Sequence, residues 1–222
     1  MIELVDSVHT LNLDKGEVGH AKPLVCTHNQ SREDWVAGRA EYVGASEVAK
    51  VLGLHPRGGP LSVYLAKVEG EPPVDNQFIR MGMRREPLIL ADAAEHLQAG
   101  GIRQYPKVEV VPVPWVLQHP EVAALCCNLD GLALVNGNYP VGPVEAKWQG
   151  AWARSMWQHY EETGSPPEGT VVECHYLQLQ TQLAVTGCPV GYLAAECDAR
   201  MYVIRVERDE ALSDFIAENV AA

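Results

Sequence analysis

Four things are scarce or missing from the 222 residues, and each absence removes a class of protein. No apolar run approaches the roughly 20 residues that a helical membrane span needs. The first 25 residues carry neither a basic leader nor a continuous apolar stretch, so no cleaved secretory signal is expected and a cytoplasmic location is. The six cysteines, at 26, 126, 127, 174, 188 and 197, contain no C-x-x-C spacing. Neither a zinc ribbon nor an iron–sulfur cluster is encoded by them, and reduced, mostly buried thiols are expected. A basic excess is missing as well: 17 Lys and Arg face 29 Asp and Glu, a formal net charge of −12. Such a surface repels a phosphate backbone unless basic groups gather locally.

What is present is segregated. Residues 32–107 hold ten Lys/Arg and ten Asp/Glu, whereas residues 155–222 hold three and eleven. A polyanion is therefore expected to meet the N-terminal half, which includes Arg39, Arg80, Arg84 and Arg85, and to avoid the acidic last third. The length fits one elaborated domain over 1–222. It divides into a peripheral arm without periodicity at 1–31, a helical part at 32–106, sheet and helices at 107–208, and a last helix over 209–222.

Periodicity orders the elements. Val48, Val51 and Leu52 share a helical face over 46–52, with Ser46 placed to cap the start and Gly53 to end it. Helices follow in 60–70 and 77–101, the second with a break or kink at Pro87. From Lys107 the pattern turns to strands: 107–117, 123–135 and 143–148, the last two joined by a turn-like Asn-Gly-Asn. Amphipathic helices are expected over 151–164 and about 173–186, then a hairpin of 191–197 with 201–208 and a helix from about Asp209. Hairpins mixed with helices favour a mixed-sheet α/β (α+β) domain over a purely parallel one.

One pair of strands carries chemistry. Strand side chains alternate, so Glu145 and Lys147 lie on one face, and Asp130 can meet Glu145 if its strand pairs with theirs. Two carboxylates and the backbone carbonyl of Ala146 make a hard oxygen site suited to Mg²⁺ or Mn²⁺. Lysine beside such a site can hold or help deprotonate an attacking water, while the ions offset charge building on a phosphate. Gln178 and Gln182, one helical turn apart, can line a polar groove; Gln180 lies off that stripe. His119 is read as a structural histidine, and Trp148, Trp152 and Trp157 as core residues rather than base-stacking platforms.

Several segments, in order, resemble the lambda-exonuclease and YqaJ-like viral recombinase branch of the PD-(D/E)XK nuclease superfamily. Trp35, Arg39 and the run Gly44 to Val48 look like its opening arginine and serine motif. Gly82 and Glu86 are similar to its G-x-x-x-E helix, and the approach to Asp130, the E-x-K of Glu145 and Lys147, and Tyr176 to Gly187 follow. Two departures stand out: Asn128-Leu129 replaces the usual Ser-Pro, and Trp148-Gln149 replaces Cys-Pro, a change expected to touch packing more than chemistry. The resemblance implies a restriction-endonuclease-like core and a Mg²⁺-dependent 5′-to-3′ exonuclease on linear double-stranded DNA, releasing mononucleotides and leaving a 3′ single strand for phage-type recombination. It assigns the binding of two ions to Asp130, Glu145, Ala146 (carbonyl) and Glu86, water activation to Lys147, water or phosphate positioning to Gln178, and a 5′-terminal phosphate to Arg39 and Ser46. A homotrimer ring and a single-strand annealing partner are implied too. The alternatives are an endonuclease on the same fold and a non-catalytic DNA-binding protein.

Overall fold

The computed structural model describes residues 11–27, 38, 40–70, 76–100 and 107–221. Apolar and β-branched residues build three eleven-residue strands, β5 (Val108–Gln118), β6 (Leu125–Val135) and β7 (Tyr139–Gln149). β6 and β7 form the expected hairpin. Its turn opens with Asn136 and Gly137 at φ 53° and 72°, left-handed backbone that Asn and Gly adopt at little cost. β8 (Val190–Cys197) runs parallel to β7, and β9 (Arg200–Glu207) returns antiparallel to β8. On the other side β3 (Lys22–Cys26) borders β5, and the short β4 (Val43–Gly44) pairs parallel with β6. The order β3-β5-β6-β7-β8-β9, with β4 beside β6, is a mixed sheet, as the element order predicted.

Helices cover both faces. α1 (Val48–Val51) continues a 3₁₀ turn at Ala45–Glu47, and α2 (Pro60–Val68) follows. α3 (Gln77–Gly100) lays Ile89, Leu90, Ala93 and Leu97 against Ala133, Val144 and Ala146. α4 (Arg154–Thr163) and α5 (Val171–Thr186) pack Trp157, Tyr160, Leu179 and Leu183 on Leu193 and Tyr202. α5 is sharply bounded: Thr170 accepts the Glu173 N–H at its start, and Gly187 at φ 72° donates to the Leu183 carbonyl at its end. α6 (Glu210–Ala221) begins where Asp209 Oδ1 accepts the Leu212 N–H.

Three expectations change. Within the segment read as a peripheral arm, the described residues 11–27 are built into the domain: β1 (Leu11–Asn12) and β2 (Glu17–Val18) form a small hairpin, Val18 is fully buried, and β3 extends the main sheet. Two-residue strands leave too little periodicity to read. α3 runs unbroken through Pro87; proline removes one intrahelical donor, and the apolar face that follows it holds the helix on the sheet. Trp157 is fully buried as expected, but Trp152 is 55% exposed, because it lies in the 3₁₀ turn before α4, where the helical spacing does not apply.

Candidate active site

The site grows from the β6–β7 hairpin. Regular pairing runs to Gly131 and Val144, and one residue further Asp130 turns a carboxylate oxygen, Oδ2, to the Ala146 N–H at 2.9 Å. Next to it Gly131 lets α3 and β5 pack close: a Cβ there would lie 2.5 Å from Val110 and 3.1 Å from Leu90 of α3. The Ala146 carbonyl lies on the same strand edge as its N–H, toward Asp130. Alternation sends Val144 and Ala146 into the α3 face and Glu145 to the opposite face, beneath α5.

There Glu145, fully buried, is held on both oxygens. Gln178 Nε2 donates to Oε1 at 2.5 Å, Gln182 Nε2 donates to Oε2 at 2.5 Å, and the Lys147 ammonium also binds Oε1. Gln182 Nε2 further donates to the Asn128 carbonyl at 3.0 Å, tying β6 to the same carboxylate. Burial and the Asp130 charge push the Glu145 carboxyl up, against the pull of Lys147 and Gln182. Glu86 of α3 is pushed up to about 7, by burial first and then by Asp130. Lys147 is raised although burial lowers it, because Glu145, Asp130 and Glu86 surround it with negative charge; it is an ammonium here.

Among the described residues no three His, Cys, Asp or Glu side chains converge as a finished metal cage. The donors nevertheless fit a hard dication: Asp130, Glu145 and the Ala146 carbonyl offer only oxygen, and burial first, then the Asp130 charge, raises the carboxyls of Glu145 and Glu86. Asp130, Glu145, Lys147, Gln178, Asn128, Ala45 and Ser46 line one cavity of about 190 Å³.

Ser46 reaches that cavity for a reason the sequence conceals. The N-cap position belongs to Gly44, whose N–H is taken by Glu47 Oε2 at 2.8 Å, so Ser46 is not a cap but an exposed residue of the 3₁₀ turn. Arg39 and Trp35 lie outside the described residues. Arg85, one of the arginines on the half expected to meet a polyanion, forms a two-pronged pair with Glu196 of β8. His119 is structural: its Nδ1 accepts the N–H groups of Glu121 and Val122. Gln180 bridges away from the site, donating to the Glu207 carbonyl and accepting the Asp209 N–H, and so fixes the β9–α6 connection. Gln182 belongs to the site more closely than its sequence reading placed it; the visible signal was its spacing of four from Gln178.

A mixed sheet with Asp on one strand, Glu-x-Lys on the next and a glutamine-bearing helix across them is the restriction-endonuclease-like nuclease fold. Within that class the chain belongs to the YqaJ-like viral recombinase domain family, whose model matches residues 34–189. The uncharacterized protein YqaJ of Bacillus subtilis (strain 168) is 24% identical over 199 residues, 88% of this chain and 56% of that protein. The chain thus spans little more than half the length of this curated relative. Crystal structures of the alkaline exonuclease LHK-Exo from Laribacter hongkongensis, with dAMP and without it, match at TM-scores of 0.63 and 0.62. Both are 25% identical and cover 85% of this chain and 89% of the other. A phage-related exonuclease of Haemophilus somnus 129PT shares the fold at 12% identity and a TM-score of 0.53, over 81% and 90% of the two chains. No described helix is long and apolar enough to cross a membrane.

Proposed function

We propose that the chain is a Mg²⁺-dependent exonuclease that degrades one strand of linear double-stranded DNA from its 5′ end, releasing mononucleotides. The observation that carries this is the shared cavity: Asp130, Glu145, Lys147 and Gln178 open onto the same space as Ser46, so a terminal phosphate at Ser46 lies beside the residues that would cut the next bond. Likeness to an alkaline exonuclease crystallised with dAMP, a nucleoside monophosphate, supports the product class. Asp130, Glu145, the Ala146 carbonyl and Glu86 would hold one or two Mg²⁺ ions, with Mn²⁺ as a substitute. The bound ion supplies Lewis-acid stabilisation of charge on the scissile phosphate. Lys147, an ammonium at the cavity wall, orients the attacking water and offsets charge on the phosphate through its remaining N–H donors. Gln178 and Gln182 keep Glu145 from turning away, and Arg39 joins Ser46 in holding the 5′-phosphate.

The same proposal includes a homotrimer ring and a single-strand annealing partner for the 3′ strand that remains. The exposed apolar stripe of Leu61, Tyr64 and Val68 along α2 gives a ring of copies surface to bury. The test is one duplex in three forms, linear with 5′-phosphate, linear with 5′-hydroxyl and closed circular, each with Mg²⁺ and with EDTA. Mg²⁺-dependent loss of the 5′-phosphorylated strand with circles spared is expected. Cut circles would make it an endonuclease, and inert DNA in every lane a binding protein.

A further inference from the structure

The replacement of Cys-Pro by Trp148-Gln149 after the E-x-K lysine reads from sequence as a packing change. The structure gives Gln149 a directional role. Trp157 Nε1 donates to Gln149 Oε1 at 2.5 Å. An indole N–H can only donate, so the oxygen of the Gln149 amide must face it and the amide nitrogen must face the other way. That nitrogen lies 2.9 Å from Nε2 of His175. Because the amide nitrogen can only donate, His175 Nε2 must accept, which leaves its proton on Nδ1 and the ring neutral. The imidazole also stacks on the Trp157 ring, with centroids 6.1 Å apart and planes 9° from parallel. Trp157 itself is fully buried, so the head of this chain cannot turn to suit its tail.

We propose that His175 is a positioning residue of the active site: the chain Trp157, Gln149, His175 locks α5 against the end of β7, so that the glutamines of α5 reach the Glu145 carboxylate. The placement supports this. Gln149 is two residues beyond Lys147 on β7, and His175 is three and seven residues before Gln178 and Gln182 on α5, on the same helical face. Both glutamines donate to Glu145 at 2.5 Å, a distance that tolerates little drift between strand and helix. Burial, Lys147 and His55 hold the His175 imidazole well below the ordinary histidine range, in keeping with a neutral acceptor. The inference concerns this chain's own residues and rests on the nuclease reading only for its catalytic consequence.

The experiment therefore has an arm without metal or DNA. In the full-length ¹⁵N-labelled protein at neutral pH, His175 should show a protonated Nδ1 and an unprotonated Nε2. The side-chain amide of Gln178 should carry the shift of a carboxylate-bound donor. In His175→Phe, which keeps a ring to stack on Trp157, and in Trp157→Phe, which deletes the indole donor together with the bulk of its five-membered ring, that amide should move toward the free-amide position. On linear duplex DNA with Mg²⁺, kcat should fall about tenfold in His175→Phe with KM unchanged. The double variant should be no worse than His175→Phe alone, since both changes cut one chain. A proton on Nε2, or an unmoved Gln178 amide in a folded His175→Phe, overturns the proposal. A wild-type protein inert on DNA would overturn the nuclease reading instead, and the resonance arm still decides the positioning role.

Discussion

Among the described residues α5 contributes to two cavities of different character, and the larger of these two is the less informative. The one beside α6, about 240 Å³, is lined by His119, Glu121, Ala184, Arg208, Glu210 and Asp214 among others. Its polar groups are largely answered locally: Arg208 binds Glu210 through two nitrogens, and His119 is committed to two backbone N–H groups. The cavity at the β6–β7 hairpin is smaller, about 190 Å³, but gathers Asp130 and Glu145 around a single lysine with Glu86 close by. There burial and like charge drive two carboxyls upward. Clustered, shifted carboxyls, rather than volume, mark the candidate functional site.

The largest expected difference between the two is catalytic. Lys147→Ala should lower DNA hydrolysis on the order of 10³-fold while Mg²⁺-dependent DNA binding survives, measured by single-turnover cleavage alongside a binding titration. Next comes metal linkage. Mg²⁺ at about 100 times its Kd should stabilise the wild type by about 2.7 kcal/mol, and Glu145→Gln should lose that gain in a thermal melt; an equal gain in both proteins would move the metal elsewhere.

A smaller contrast separates the histidines. His175 lies well below its ordinary pKa of 6.5 and His119 is lowered too, each by burial first. A depressed histidine contributes stability that is complete above the unfolded pKa, near 6.5, and is lost as pH falls toward the folded value. Urea midpoints should therefore drop between about pH 7.5 and pH 5, and His175→Phe should flatten the drop more than His119→Asn, which keeps an acceptor near Nδ1. The smallest effect closes the comparison: Asp214→Asn in the larger cavity should leave DNA hydrolysis within about twofold, since an exposed surface change seldom moves more than about 0.5 kcal/mol. A tenfold loss there would end the distinction between the cavities.

Much of the site was legible because its residues follow short-range rules. Asp130, Glu145 and Lys147 lie on two adjacent strands joined by a recognisable turn, and Gln178 sits on a helix bounded by Thr170 and Gly187. What was hidden depends on partners distant in sequence. Ser46 lies exposed in the 3₁₀ turn because the N-cap position falls on Gly44, and Arg85 pairs with Glu196, 111 residues away. The pairing of residues 22–26 with β5 brings together segments some 90 residues apart, and neither strand's pattern names the other.

By itself, then, the amino-acid order determined the mixed α/β class, the strand that carries Glu-x-Lys and the helix that carries the glutamines, because alternation, capping and turn chemistry act over a few residues. Only the tertiary structure decided which amides grip Glu145, that Gln149 and His175 form one directed chain with Trp157, and that Ser46 opens onto the same cavity as Asp130 and Glu145. Those outcomes are set by hydrogen-bond direction and burial between elements far apart in the chain, where no local pattern records which neighbour a side chain will meet.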